Sequence, residues 1–219
     1  MKNKVLVALM FASGSLIMNG CNSEDTLAPV VTLNGQSTMT SSLNSTFTDP
    51  GATAQDDNDG TIASSAITVS GTVNKDLAGD YVLTYTATDA AGNSGTATRT
   101  VTVKNDADAY AGNYNVTEVC GTGGSTPYSQ TITTSTTVNN RVHFNKFGDY
   151  LNNSGIYGDI VGTTMTIPSQ NATNVGTPPN NGNRTFSGSA NNIQSSGFTI
   201  NYTETTSTGS TTCSATFVK

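Results

Sequence analysis

The run Tyr81-Val82-Leu83-Thr84-Tyr85-Thr86-Ala87-Thr88 alternates strictly, with Tyr81, Leu83, Tyr85 and Ala87 on one side and mostly threonine on the other. A period of two is the signature of a strand with one face on a core and one in water. The pattern recurs along the chain. Thr96 to Val103 sets Ala97, Val101 and Val103 against a row of threonines, Ile67 and Val69 mark a third strand, and Val31 with Leu33 a fourth. Threonine fills 39 of the 219 positions and charged residues only 11% of them. Long helices and coiled coils need abundant Ala, Glu, Lys and Leu, so this composition excludes them and predicts an all-β chain. A net charge of −6 offers no basic footprint for nucleic acid. Plentiful β-branched residues at low charge exclude wholesale disorder.

Residues 1–20 have the three parts of a secretory signal. Lys2 and Lys4 precede an apolar run from Val5 to Phe11 that continues weakly to Met18, too short and interrupted to span a membrane. The sequence Leu16-Ile17-Met18-Asn19-Gly20-Cys21 resembles the lipobox of bacterial lipoproteins. That resemblance implies a lipoprotein signal peptide over 1–20, acylation of Cys21, and an acylated N-terminus and tether over 21–28. Two or three acyl chains anchor stably where one does not. Glu24-Asp25 resembles the export signal of surface lipoproteins in Bacteroidetes-type bacteria, which implies an outer-membrane protein displayed on the cell surface. Without Lys2 and Lys4, seven basic residues face fifteen acidic ones, so attachment rests on lipid and not on charge.

Two further cysteines remain, and an exported chain with two spare cysteines most often pairs them. Cys120 shares a strand face with Tyr114 and Val116, and Cys213 with Ala215 and Phe217, so both thiols point with the apolar set. They lie on the first and last strands of the second half, which are neighbours if that half closes into a barrel. A Cys120–Cys213 disulfide is therefore expected, worth roughly 4–5 kcal/mol in the chain-entropy picture.

Residues 29–104 form one module. Short alternating segments at this spacing predict an antiparallel sandwich of about seven strands. Its wording includes Pro29-Val30-Val31-Thr32-Leu33-Asn34-Gly35, Phe47-Thr48-Asp49-Pro50-Gly51-Ala52-Thr53-Ala54, Asp59-Gly60-Thr61-Ile62, and Tyr85-Thr86-Ala87-Thr88-Asp89-Ala90-Ala91-Gly92-Asn93. It resembles the bacterial immunoglobulin-like domain first noted in a pesticidal crystal protein. That implies an immunoglobulin-like β-sandwich acting as spacer or binding module, without catalysis. Thr61 departs from the family's usual acidic residue.

Asp56, Asp57 and Asp59 around Gly60, with Asp89 in a second turn, are read as turn formers, since Asp bonds to its own backbone and tolerates left-handed geometry. Coordination of calcium by these four carboxylates is the alternative, because that ion takes clustered oxygens. The spacing is not that of an EF-hand. No firm metal site and no cofactor is expected.

Residues 105–109 are a short polar linker, which holds its neighbours close. Over 110–219 the strand candidates are Tyr114–Cys120, Tyr128–Thr136, Arg141–Phe147, Ile156–Val161, Thr164–Ile167, Arg184–Ser189, Gly197–Thr203 and Cys213–Val218. Asn139-Asn140 suits a two-residue hairpin turn, and Ser169 to Asn183 reads as a long loop. Eight strands predict a small up-and-down barrel, which removes sheet edges. The opening Tyr110-Ala111-Gly112-Asn113-Tyr114-Asn115-Val116 and the closing Cys213-Ser214-Ala215-Thr216-Phe217 resemble the lipocalin-like domains of Bacteroidetes lipoproteins.

Candidate chemistry is sparse. His143 alternates with Val142 and Phe144 and is read as a solvated strand residue. Glu118, Asp149, Asp159 and Glu204 read as scattered carboxylates, and no catalytic residue is assigned. Tyr128, Phe147, Tyr150 and Tyr157 are candidates for a ligand surface, with ordinary cross-strand packing the alternative. The expected function is a non-catalytic surface lipoprotein whose spacer module presents a ligand-binding, glycan-binding or accessory barrel. Its partners would be the membrane, through lipid, and a glycan or outer-membrane protein. A structural or calcium-dependent adhesion protein and a surface hydrolase are the other two readings.

Overall fold

The computed structural model describes residues 24–150, 155–175 and 182–219. The leader and Cys21 lie outside them. Seven strands make the first module: β1 (Val30–Leu33), β2 (Thr38–Ser42), β3 (Ala52–Asp56), β4 (Gly60–Ile62), β5 (Thr68–Ser70), β6 (Gly79–Thr88) and β7 (Ser94–Lys104). They form two sheets, β1-β3-β4 and β2-β7-β6-β5. Ala52, Leu83, Tyr85 and Val101 are the buried centre, flanked by Val31, Leu33, Phe47, Ile67 and Val73. The alternation of β6 and β7 therefore faces the core as the sequence predicts.

Two features depart from that reading. The sandwich is not wholly antiparallel. The chain leaves the first sheet after β1, turns at Gly35 with φ +87°, and lays β2 parallel to β7. Second, Arg99 occupies the inward parity of β7 between Ala97 and Val101 and is fully buried. Its Nε donates to Gln36 O at 3.1 Å, and Nη2 donates to Asn34 O at 2.7 Å. Nη1 donates to Tyr85 Oη at 2.9 Å and pairs with Asp49. Every hydrogen-bonding group that a buried guanidinium brings in needs a partner. Here they come from the loops that join β1 to β2 and precede β3, and from Tyr85 of β6.

The second module is a barrel of β8 (Gly112–Cys120), β9 (Thr126–Thr134), β10 (Arg141–Phe144), β11 (Tyr157–Val161), β12 (Thr164–Val175), β13 (Gly182–Ala190), β14 (Gly197–Thr206) and β15 (Gly209–Val218). Each strand pairs antiparallel with the next, and β15 closes on β8 from Val218↔Asn115 to Cys213↔Cys120. Cys120 and Cys213 face each other across that seam and are joined by a disulfide. Outward positions such as Thr199, Asn201, Thr203 and Thr216 are polar, the reverse of a membrane barrel's lipid-facing band.

The segment from Ser169 is not loop as far as Val175. It continues β12, with register shifts between Ile167 and Gln170 and between Ala172 and Val175. Pro168 cannot donate to the ladder, and such irregularities break the alternation that betrays a strand. The connection between β9 and β10 is also longer than a two-residue turn. It runs from Ser135 to Asn140, with Asn140 at φ +60°.

The junction is densely bonded. Asn105 is buried, and its Nδ2 donates to Ser135 O at 2.8 Å and Val138 O at 2.9 Å. Its Oδ1 accepts from Ala107 N at 3.0 Å and Asn140 N at 2.8 Å. The following 3-10 turn, Asp106–Tyr110, leads into β8. From the sandwich, Ala78 N donates to Thr136 O at 2.8 Å, and Asn44 Nδ2 to Thr137 O at 3.1 Å.

Candidate functional site at the far end of the barrel

Strand directions fix two unlike ends. The linker, the β9–β10 connection and the C-terminus lie at the end nearest the sandwich. The β8–β9 connection, residues 145–150 after β10, the last residues of β12, the first of β13 and the β14–β15 turn lie at the opposite, distal end. Near the sandwich the interior is apolar. Phe198 stacks on Phe217 with ring centroids 4.9 Å apart, and Tyr114 meets Phe217 edge-on at 6.0 Å. Phe147, carried by a 3-10 turn Phe147–Asp149 after β10, folds into the middle and packs 4.8 Å from Tyr202.

Beyond that aromatic layer the interior becomes polar. Glu118 continues the inward parity of Tyr114 and Val116, and Tyr202 and Glu204 continue that of Ile200. Both glutamates are buried. The Tyr202 hydroxyl donates to Glu118 Oε1. The Tyr150 hydroxyl donates to Glu204 Oε1 at 3.0 Å, and Arg184 from β13 pairs with the same carboxylate. The Arg184 guanidinium also lies 4.4 Å above the Tyr150 ring, while its Nε is buried without a hydrogen-bond partner.

This environment sets the protonation of the cluster. Burial pushes the Glu118 carboxyl up; the Tyr202 hydrogen bond opposes this, and the nearby Glu204 and Asp149 reinforce it. Burial and the Glu204 charge push the Tyr150 phenol up to about 12. Tyr128 and Tyr202 are also raised, first by burial and then by Glu118. The phenols therefore remain protonated donors, and Arg184 neutralises Glu204. Such an array presents directed hydrogen bonds rather than a free acid and base. The two sulfurs beside Glu118 are bonded to each other, so this trio offers a metal no thiolate.

On the outer wall of the same end, Asn171, Thr173, Thr185 and Thr205, with Arg184 and Thr208, line a concavity of about 930 Å³ on the strand face opposite Glu204. Its walls are hydroxyls, amides and one guanidinium.

The remaining residues singled out in the sequence fall as follows. Tyr128, Tyr150 and Phe147 belong to the barrel interior. Tyr157 lies outside, 3.6 Å under the Arg141 guanidinium and 6.3 Å from the His143 ring. His143 is half-buried on the outer face, and burial and the Arg141 charge hold it below its ordinary value. The four aspartates are not one site. Asp56 and Asp89 converge, whereas Asp57 is exposed and Asp59 Oδ2 accepts from Ala90 N at 2.6 Å. Asp25 stands in their place. It had no strand context to place it, because it precedes β1. Glu118, Glu204 and Arg184 do carry a sequence signal, since each sits on the inward parity of its strand.

Residues 31–103 match the family described as bacterial surface protein, Ig-like domain. The first module is thus an immunoglobulin-like domain of the kind found in bacterial surface proteins. Among solved structures, the chain is similar to the lipoprotein BT2262 from Bacteroides thetaiotaomicron, at 15% identity over 86% of this chain and 98% of that one, with a TM-score of 0.35. It is also similar to a structure from Clostridium perfringens ZmpB that holds CBM51-2 in complex with GlcNAc and INT domains. There the identity is 14% over 87% of this chain and 43% of that one, with a TM-score of 0.30. Likeness at this level transfers no property from either protein. No curated protein matches the chain.

Proposed function

We propose that this protein is a non-catalytic, lipid-anchored surface protein in which the immunoglobulin-like domain holds a lipocalin-like barrel away from the outer membrane. The distal end of the barrel binds a polar ligand of the glycan class. The observation that carries this reading is the contrast between the two ends of the barrel, apolar and filled toward the sandwich, with a polar concavity on the outer wall at the other end. A lining of threonine, asparagine and arginine matches the hydroxyls of a sugar. Binding sites combine a shaped wall with a few directed polar groups in this way. The non-catalytic part is supported by the engagement of Glu118 with Tyr202 and of Glu204 with Arg184 and Tyr150. The surface location is supported by the family of residues 31–103 and by the lipobox-like sequence ending at Cys21.

A glycan array probed with the mature chain tests the ligand class. Binding to a defined glycan set, lost in an Asn171→Ala/Thr205→Ala variant that keeps its melting temperature, is expected. A folded chain that binds no glycan, or binds equally well with the lining altered, contradicts the reading. Replacing Cys21 by Ser should release the protein from membranes.

A further inference from the structure

Asp25 precedes β1, Asp56 ends β3, and Asp89 follows β6. One carboxylate oxygen from each lies within 4.8 Å of the others. A sphere of oxygens at about 2.4 Å from a central ion spans that same width. Among the described residues no Lys or Arg forms an ion pair with any of the three. Three carboxylates thus converge without a neutralising cation of the protein's own.

The hydrogen bonds show which atoms are committed. Asp56 Oδ1 accepts from Asn58 N and Asp59 N, both at 2.9 Å. Asp25 Oδ1 accepts from Leu27 N at 3.1 Å. Asp89 Oδ1 accepts from Asn93 N at 2.8 Å and its Oδ2 from Asn93 Nδ2 at 2.9 Å, so each Asp89 oxygen accepts one bond. The other oxygens are left over: Asp56 Oδ2 and Asp25 Oδ2 are buried and have no hydrogen-bond partner. Asp56 itself is only 2% exposed. A buried carboxylate oxygen with nothing to accept is costly unless something positive meets it. Turn formation accounts for Oδ1 of Asp56 but gives Oδ2 no role.

We infer that Asp25, Asp56 and Asp89 bind a single calcium ion. The donors are all hard oxygens, with no imidazole or thiolate, which favours calcium over zinc or copper. Asp56 Oδ2, Asp25 Oδ2 and one Asp89 oxygen supply three ligands, and waters complete the shell. Magnesium demands a tighter octahedron and gives up its waters reluctantly, so it is the poorer fit.

The site has a structural consequence. Asp25 belongs to the tether that leads into β1, whereas Asp56 ends β3 and Asp89 opens the turn after β6. Asn93 Nδ2 already donates to Asp25 O at 3.1 Å. At Gly95 a Cβ would sit 1.8 Å from Pro29 O, so the chain immediately after the tether lies directly on β7. Calcium would fasten the tether to the sandwich and stiffen the join between anchor and first domain.

The test is a melt of the purified full chain after calcium stripping, with and without 5 mM calcium or magnesium, alongside calorimetric titration. Wild type should bind one calcium and gain more than about two degrees in the transition of the sandwich, as an ion that binds only the folded state must give. Magnesium should give less than half that shift. Asp25→Asn and Asp56→Asn should each abolish it while melting no lower than wild type in chelator, since the repulsion is relieved. Asp57→Asn should keep it. An unshifted wild-type melt, an equal magnesium shift, or a shift that survives Asp56→Asn overturns the assignment. Loss of the shift in Asp57→Asn would also overturn it.

Discussion

The backbone N–H of Asn139 donates to Oδ1 of Asn44 at 2.8 Å, which bonds the β9–β10 connection of the barrel to the loop after β2 of the sandwich. Asn44 holds a left-handed conformation there, with φ +63°. Together with Asn105, this pair makes the two domains lean on one connection. A spacer that presents a binding end needs such a fixed joint, because a free hinge would let the barrel fold back on its stalk.

Asn105→Ala should therefore both destabilise and uncouple. It removes partners from Ser135 O, Val138 O, Ala107 N and Asn140 N in a buried setting. Each unpaired buried group costs about 1–3 kcal/mol, and a net loss of at least about 2 kcal/mol is expected. Calorimetry should show the barrel melting earlier and the two transitions separating. A single unshifted transition would contradict a shared joint.

Arg99→Met should unfold the sandwich preferentially. It removes the donors to Gln36 O, Asn34 O and Tyr85 Oη and the ion pair to Asp49, and hydrogen bonds to a charged group are worth about 1.5–3 kcal/mol each. Burial would raise the Asp49 carboxyl, but hydrogen bonds from Tyr85 Oη and Gly51 N–H and the Arg99 charge outweigh it and hold it below the ordinary value. A lowered carboxyl contributes stability above its unfolded value near 3.8, and this is lost as pH falls below that point. Urea melts from pH 7 to pH 2 should show this loss in wild type and a flatter acid limb in Arg99→Met.

The Cys120–Cys213 bond joins strands already paired through six residue pairs, so reduction should weaken the barrel without opening it. A loss of about 2–4 kcal/mol in urea is expected, with circular dichroism unchanged before the transition. Alkylation of unreduced protein followed by mass spectrometry should find neither thiol free. Free thiols in native protein would contradict the seam.

Glu118→Gln should stabilise the barrel at pH 8 and change little at pH 4. A carboxyl whose folded value is raised stabilises fully below its unfolded value near 4.5, and that contribution is lost as pH rises through the folded value. Glutamine can still accept from Tyr202 and carries no charge to bury. Equal shifts at both pH values would show that burial does not set the behaviour of Glu118.

Much of this structure was legible as alternation. The parities of β6, β8, β14 and β15 predict their buried residues, and the same rule places Cys120 beside Cys213. Parity also puts Arg99, Glu118 and Glu204 inside, yet a charged residue on an inward position reads as an exception until its partners are known. Those partners come from strands and loops far apart in sequence, such as Asp49 for Arg99 and Arg184 for Glu204. The far part of β12 is invisible for a different reason, since its bulges near Pro168 and Ala172 break the period. Asp25 lies before the first strand, where no periodic pattern gives it a direction.

The most direct test of the account is hydrogen exchange on the full chain with and without a saturating pool of soluble oligosaccharides. Protection is expected at the distal outer wall, at residues 171–173, 182–185 and 205–208, with residues 135–140 and 191–196 at the opposite end unchanged. Protection confined to the sandwich or to that opposite end, or an exchange pattern unaltered everywhere, would contradict a barrel whose distal end binds glycan.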